Sequence, residues 1–291
     1  MEILGTRKVW TRLDGQANCT NESNSEIRGG KGFEVTNYIE MAEVVAELQF
    51  RNPDQVLLFR GQNRDFKNQQ GNSSILPAMF RPVVQQKAKP KKIDPIILKS
   101  RYDSLLQGER LLIEHFKQDN RFGKTRIYRN RLVRWAILQH YDVCPTPLLD
   151  LTHSLRIAAS FASIDCDGEA YLYVLGVSQL SGAITVDASS GIQIIRLSSI
   201  CPPSAARPHL QEGYLLSEYP DIGDTGQIDN YKLHEVDFGR RLIAKLRFNP
   251  DSFWRTNGDA FPQVPHIALY PSGILDDLKA TTVHIKTALS I

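Results

Sequence analysis

Between Gln139 and Thr152 the sequence reads Gln-His-Tyr-Asp-Val-Cys-Pro-Thr-Pro-Leu-Leu-Asp-Leu-Thr, and this stretch limits the folds open to the chain more than any other. It sets imidazole, phenol, carboxylate and hydroxyl groups close to Leu148 and Leu149. It then runs on into the apolar, small-residue segment from Ile157 to Ala162. A core helix has no use for so many polar groups beside its buried face, and a solvated loop has none for two consecutive leucines. Buried polar groups must find partners or cost free energy. The stretch is therefore expected to be a strand or turn that delivers several side chains into one pocket.

A second segment points the same way. Val56-Leu57-Leu58-Phe59 has the look of a buried strand and ends in Arg60-Gly61-Gln62. An arginine at the mouth of such a strand either bridges a carboxylate or presents a fixed cation to a phosphate. The glycine beside it favours the second role, on the argument that close backbone approach is useful near a ligand or a tight turn.

Bulk properties exclude several classes. The chain has 291 residues, 42% of them hydrophobic and 23% charged, which is ordinary for a folded protein of one or two domains. A net charge of +3 is too small to imply nucleic-acid binding by itself. No apolar run approaches the ~20 residues of a membrane-spanning helix. Met1 to Lys8 lacks the order of a secretory signal. Cys19, Cys144, Cys166 and Cys201 show no metal-ligand spacing, so free thiols in a reducing cytoplasm are expected and no metal is assigned.

Along the chain, residues 11 to 32 are rich in Gly, Asn and Ser, and residues 1–35 are expected to be a flexible lead-in to a single domain over 36–291. Helices are expected over Tyr38–Phe50, Asp94–Phe116, Arg126–His140 and Ser154–Ala162, the last packing its small residues close to a sheet. The block Lys87 to Lys92 reads as a solvated linker. Strands are expected at 56–60, 170–177, 182–186, 191–197 and 240–248, then a helix over 271–280 and a last strand near Thr282–Ile285. Helices first and strands later argue an α+β fold with a mostly antiparallel or mixed sheet.

His140 and Tyr141 stand just beyond the apolar stripe of their helix, where Asp142 and Asp150 are available to orient one ring nitrogen for acid–base work or ligand binding. A cap on the next segment, through the Thr152 or Ser154 amides, is the stronger expectation for Asp150. The series Lys124, Arg126, Arg129, Arg131 and Arg134 carries no acidic residue and lies beside Tyr128 and Trp135. Such a face suits a solvated helix or a nucleic-acid backbone.

Taken in order, Phe59-Arg60-Gly61-Gln62, the run Leu76 to Arg81, the 139–152 stretch, Glu169 to Leu175, Arg207 with Gln211 and Gly213, and the tail from Ala268 to Leu278 resemble the FRG-domain family over roughly residues 50 to 280. The motif order is also similar to that of ADP-ribosyltransferases of the Arg-Ser-Glu type. That resemblance implies a mixed, mostly antiparallel sheet flanked by helices, with NAD as substrate. It implies that Phe59, Arg60, Gly61 and Gln62 hold the dinucleotide, and that Tyr141, Thr152 and Ser154 line its pocket. Catalytic roles then fall to Arg60, His140, Gln211 and Glu212. Such an enzyme would be a cytoplasmic toxin or phage-defence effector, with RNA, DNA or protein as acceptor and an antitoxin or regulator as partner.

Two departures bear on this expectation. The family segment usually reads Pro-Thr-Arg-Leu-Leu-Asp-Trp-Thr, whereas here Pro147 stands for the arginine and Leu151 for the tryptophan. The late loop is Gln211-Glu212-Gly213 rather than Glu-x-Glu. Both suit the alternative, a regulatory module that binds nucleotide or nucleic acid without turnover. A nuclease or other hydrolase using His140 ranks third.

Overall fold

Asn37 accepts a hydrogen bond from the backbone N–H of Glu40 and starts the helix Tyr38–Arg51, much as the apolar spacing predicts. This and the other elements come from a computed structural model that describes residues 7–82, 93–119, 123–256, 260–272 and 276–289. The elements begin with β1 (Val9–Thr11), β2 (Thr20–Glu22), α1 (Asn24–Gly29), β3 (Phe33–Glu34), α2 (Tyr38–Arg51) and β4 (Val56–Gln62). Then come α3 (Pro95–Gln118), α4 (Lys124–Arg129), α5 (Arg131–His140), β5 (Leu149–Thr152), α6 (Leu155–Ser163) and β6 (Ala170–Val177). The chain continues through β7 (Ile184–Asp187), β8 (Ile192–Arg196), α7 (Leu197–Ile200), α8 (Ala206–Leu210), β9 (Gly213–Glu218) and α9 (Thr225–Ile228). It ends with β10 (Leu242–Phe248), α10 (Pro250–Phe253), α11 (His266–Leu269) and α12 (Asp277–Ala288). The fold is α+β, with a mixed and mostly antiparallel sheet flanked by helices.

The chain divides into two compact units. The first holds Met1–Ile75, Leu151–Leu180 and Asp237–Leu269, with strand order β3-β10-β6-β4 and then the last two residues of β5, Leu151 and Thr152. β4 runs antiparallel to β6, placing Arg60 opposite Tyr173 and Gly61 opposite Leu172, while β3 joins β10 in parallel. Helix α6 packs on β4 through Ala158 and Ala162, as its small residues predict. Beside the sheet, Lys245 is 1% exposed and donates to the carboxylate of Asp65 (3.0 Å), the Ser73 hydroxyl (2.8 Å) and the carbonyl of Gly30. Tyr173 donates to the same Asp65 at 2.8 Å.

Residues 11 to 32 contribute elements to this unit. Ser23 and Glu26 form a reciprocal capping box that opens α1. Arg28 is buried and pairs with Asp237 at 2.6 Å. Part of the polar composition of this segment therefore belongs to a cap and to a buried ion pair.

The second unit holds Leu76–Asp150, Ser181–Val236 and Tyr270–Ile291. Its core gathers Leu105 and Leu112 of α3, Trp135 and Leu138 of α5, Leu148, Leu215 of β9 and Leu278 of α12. Strands β7, β8 and β9 form an antiparallel meander. Two expectations for this unit do not hold. The helix expected over 126–140 is two, because Asn130 ends α4 and caps α5 by accepting from the N–H of Leu132. The strand expected near 282–285 is part of α12: Asp276 caps it, and Leu278, Thr282 and Ile285 bury one helical face. The linker expected at 87–92 lies outside the described residues.

Candidate functional site

Helix α5 ends in Gln139 and His140, which open a hydrogen-bonded group of polar side chains in the second unit. His140 is its last residue and is 2% exposed. The Nδ1 of His140 faces Oδ1 of Asp150 at 3.4 Å. The other carboxylate oxygen, Oδ2, accepts from the side-chain amide of Gln139 at 2.6 Å. That amide in turn accepts from the Thr146 hydroxyl at 2.6 Å, and Thr146 accepts from the N–H of Leu148 at 3.1 Å. Among the described residues, Nε2 of His140 is buried without a hydrogen-bond partner.

Burial pulls the His140 imidazole below its ordinary 6.5; the hydrogen bond to Asp150 pulls it up, and the charge of Arg207 adds to the lowering. The ring is therefore neutral at physiological pH, and with a carboxylate at Nδ1 its free lone pair belongs on Nε2. A neutral, oriented imidazole with one unpartnered nitrogen has the chemistry of a general base.

Tyr141 and Arg207 make the second layer of the cluster. Tyr141 meets His140 edge-on, with ring centroids 5.7 Å apart. Its hydroxyl donates to both oxygens of Asp276, at 2.8 and 2.9 Å, and burial pushes its pKa far above the ordinary 10.0. Asp276 also accepts the backbone N–H of Arg207 at 2.8 Å. The Arg207 guanidinium lies over the rings of Tyr141 and Tyr270, at 5.6 and 4.7 Å, and pairs with Asp142 at 2.9 Å. Asp142 holds a left-handed backbone, φ 53°. Such a conformation is unusual without glycine and marks a turn fixed by its surroundings.

Gln211, Glu212 and Gly213 follow α8. Gln211 is buried, whereas Glu212 is exposed and has φ 46°. Gly213 packs against the histidine: a Cβ there would lie 3.4 Å from Cε1 of His140 and 2.6 Å from a methyl of Leu197. The second unit thus brings His140, Tyr141 and the start of β9 together. The signals in the sequence were partial. Gln139 and Thr146 stood in the polar stretch unassigned, and nothing in local spacing pointed to Asp276.

The remaining expected residues belong to the first unit. Phe59, Arg60, Gly61 and Gln62 form the end of β4, with Phe59 buried and paired to Thr152 of β5. Thr152 accepts the N–H of Ser154, and Ser154 caps α6 by accepting from Ile157. Two inferences change here. The cap of α6 comes from Ser154, and Asp150 accepts from Gln139 and faces His140. The close approach at Gly61 is to helix backbone: a Cβ would lie 1.9 Å from the carbonyl oxygen of Ala158 and 2.7 Å from the nitrogen of Ala162. Helix packing alone accounts for this glycine, so it carries no argument for a ligand.

Within the basic series, Arg134 and Arg131 are tied to a buried carboxylate. Glu109 accepts from Arg134 at 2.6 Å and from the Trp135 indole at 2.6 Å, and Arg131 stands 3.9 Å away, over the Trp135 ring. Arg126 donates to the carbonyl of Ser199, and Arg129 is exposed. Among the described residues no group of three or more His, Cys, Asp or Glu is placed to hold a metal ion, and no helix is long and apolar enough to cross a membrane.

Residues 55–169 match the FRG domain family. The match covers less than half of the 291 residues and is shorter than the reach to residue 280 expected from the motifs. It includes Arg60, His140, Tyr141, Asp150, Thr152 and Ser154, and it stops before Arg207, Gln211 and Glu212. No curated protein and no solved structure matches the chain.

Proposed function

We propose that this chain is an NAD-dependent ADP-ribosyltransferase-like enzyme, a toxin or phage-defence effector whose acceptor is a nucleic acid or a protein. The observation that carries the catalytic half is His140, neutral, oriented from Nδ1 by Asp150, and without a hydrogen-bond partner at a buried Nε2 among the described residues. Leaving a buried acceptor unmade costs about 1–3 kcal/mol, which a merely structural histidine avoids. ADP-ribosyl transfer breaks the bond between ribose and the nicotinamide nitrogen, and the nicotinamide leaves with the bonding pair. The acceptor atom forms the new bond to the ribose and gives up its proton, and His140 Nε2 is the base we assign to it. The NAD half rests on the resemblance around Phe59-Arg60-Gly61-Gln62, with Thr152 and Ser154, and on the FRG match.

A second reading has one observation of its own. At Gln211-Glu212 the buried residue is the amide, and the carboxylate is exposed. A developing oxocarbenium ion gains most from a preorganised carboxylate, so a buried amide favours a module that binds nucleotide without turning it over. The test incubates the purified chain with NAD labelled in its adenylate half, together with RNA, DNA and protein acceptors. Label transfer with nicotinamide release supports the enzyme, and Arg60→Ala is expected to abolish it. Nucleotide binding by calorimetry with no release for any acceptor supports the module.

A further inference from the structure

We infer that Gln139, held by Thr146, is a positioning residue that fixes the Asp150 carboxylate and through it the ring tautomer of His140. Its functional weight depends on His140 acting as the base proposed above, but its readout is the state of two ring nitrogens and is independent of turnover.

Each link in this chain of hydrogen bonds has only one direction. Thr146 accepts the N–H of Leu148 at 3.1 Å and has its own proton left to donate. It donates to Oε1 of Gln139 at 2.6 Å. An amide oriented this way presents its NH2 end on the other side, and that end donates to Oδ2 of Asp150 at 2.6 Å. A carboxylate can only accept, so Oδ1, 3.4 Å from the ring, calls for the proton on Nδ1. Nε2 is then left with its lone pair. The charged groups that act on the imidazole are Asp150 of β5, Asp142 at the end of α5 and Arg207 of α8. Asp142 is engaged with Arg207, so Asp150 decides the tautomer.

Nitrogen-15 NMR of the full chain labelled at histidine distinguishes a protonated from an unprotonated ring nitrogen. In the wild type, His140 is expected to show a protonated Nδ1 and an unprotonated Nε2. Asp150→Asn is expected to reverse this. The Gln139 NH2 still demands an acceptor, so the new amide turns its carbonyl to Gln139 and its NH2 to Nδ1, and the ring proton moves to Nε2. Adding Gln139→Leu removes the NH2 that demands the new carbonyl, and the proton is expected back on Nδ1. A wild-type ring protonated on Nε2 would overturn the assignment, with no variant required. So would the same tautomer in the single and the double variant. Failure of NAD turnover moves none of these signals, so the two readings fail separately.

Discussion

The carbonyl oxygen of Ala158 occupies the space a side chain at Gly61 would need, 1.9 Å from where its Cβ would be. Strand β4 and helix α6 meet backbone to backbone at this point, and both contributors are backbone atoms that cannot swing aside. Gly61→Ala is therefore expected to destabilise the chain by about 3 kcal/mol, at the upper end for overpacked sites. Urea denaturation measures it. A variant as stable as the wild type would show that the close approach is wrong.

Lys245 and Asp65 form a buried pair in the first unit, at 3.0 Å. Burial raises the Asp65 carboxyl, but the hydrogen bonds from Ser73, Lys245 and Tyr173 outweigh it and hold the carboxyl below its ordinary 3.8. Lys245→Met would strand that carboxylate together with the carbonyl of Gly30, at an expected cost of about 3–5 kcal/mol. Pairing it with Asp65→Asn is expected to recover part of the loss. No recovery in the double variant would argue against the pair.

In the second unit, Tyr141→Phe keeps the ring that packs on His140 and removes the hydroxyl shared by both oxygens of Asp276. The expected loss is about 1–3 kcal/mol, the usual consequence of leaving a buried carboxylate short of a donor. An unchanged urea midpoint would contradict it.

His140 also gives the protein a pH dependence with a definite sign. Its folded-state pKa is lowered by burial from an unfolded value of 6.5, so the unfolded chain binds the proton first as the pH falls. The stability owed to the neutral ring is fully present above 6.5 and is lost as the pH drops through the folded-state pKa. His140→Gln is expected to remove this component from the pH profile of unfolding. A profile identical to the wild type between neutral and acidic pH would contradict the assignment.

Much of this was legible in the residues, and the rest failed for physical reasons. The apolar spacing of α2, α3 and α6 located those helices because burial of one face is written locally. The run Thr281-Thr282-Val283 has the β-branched look of a strand, yet the capping aspartate and the burial of Leu278, Thr282 and Ile285 make it helix. Asn130 was hidden for the opposite reason: one capping side chain divides a continuous helical pattern. At the site, Gln139, His140, Thr146 and Asp150 were adjacent in sequence, so their polar excess was visible. The groups around them, Asp276 bonded to Tyr141 and Arg207 paired with Asp142, come from distant segments, and pairing at that range leaves no mark in local spacing.

Release of nicotinamide from NAD, followed for the wild type and for His140→Gln in the presence of RNA, DNA and protein acceptors, tests the central claim most directly. The wild type is expected to release it with at least one acceptor, and the variant to be slower by about 100-fold or more. A variant as fast as the wild type, or a wild type silent with every acceptor, would contradict the account.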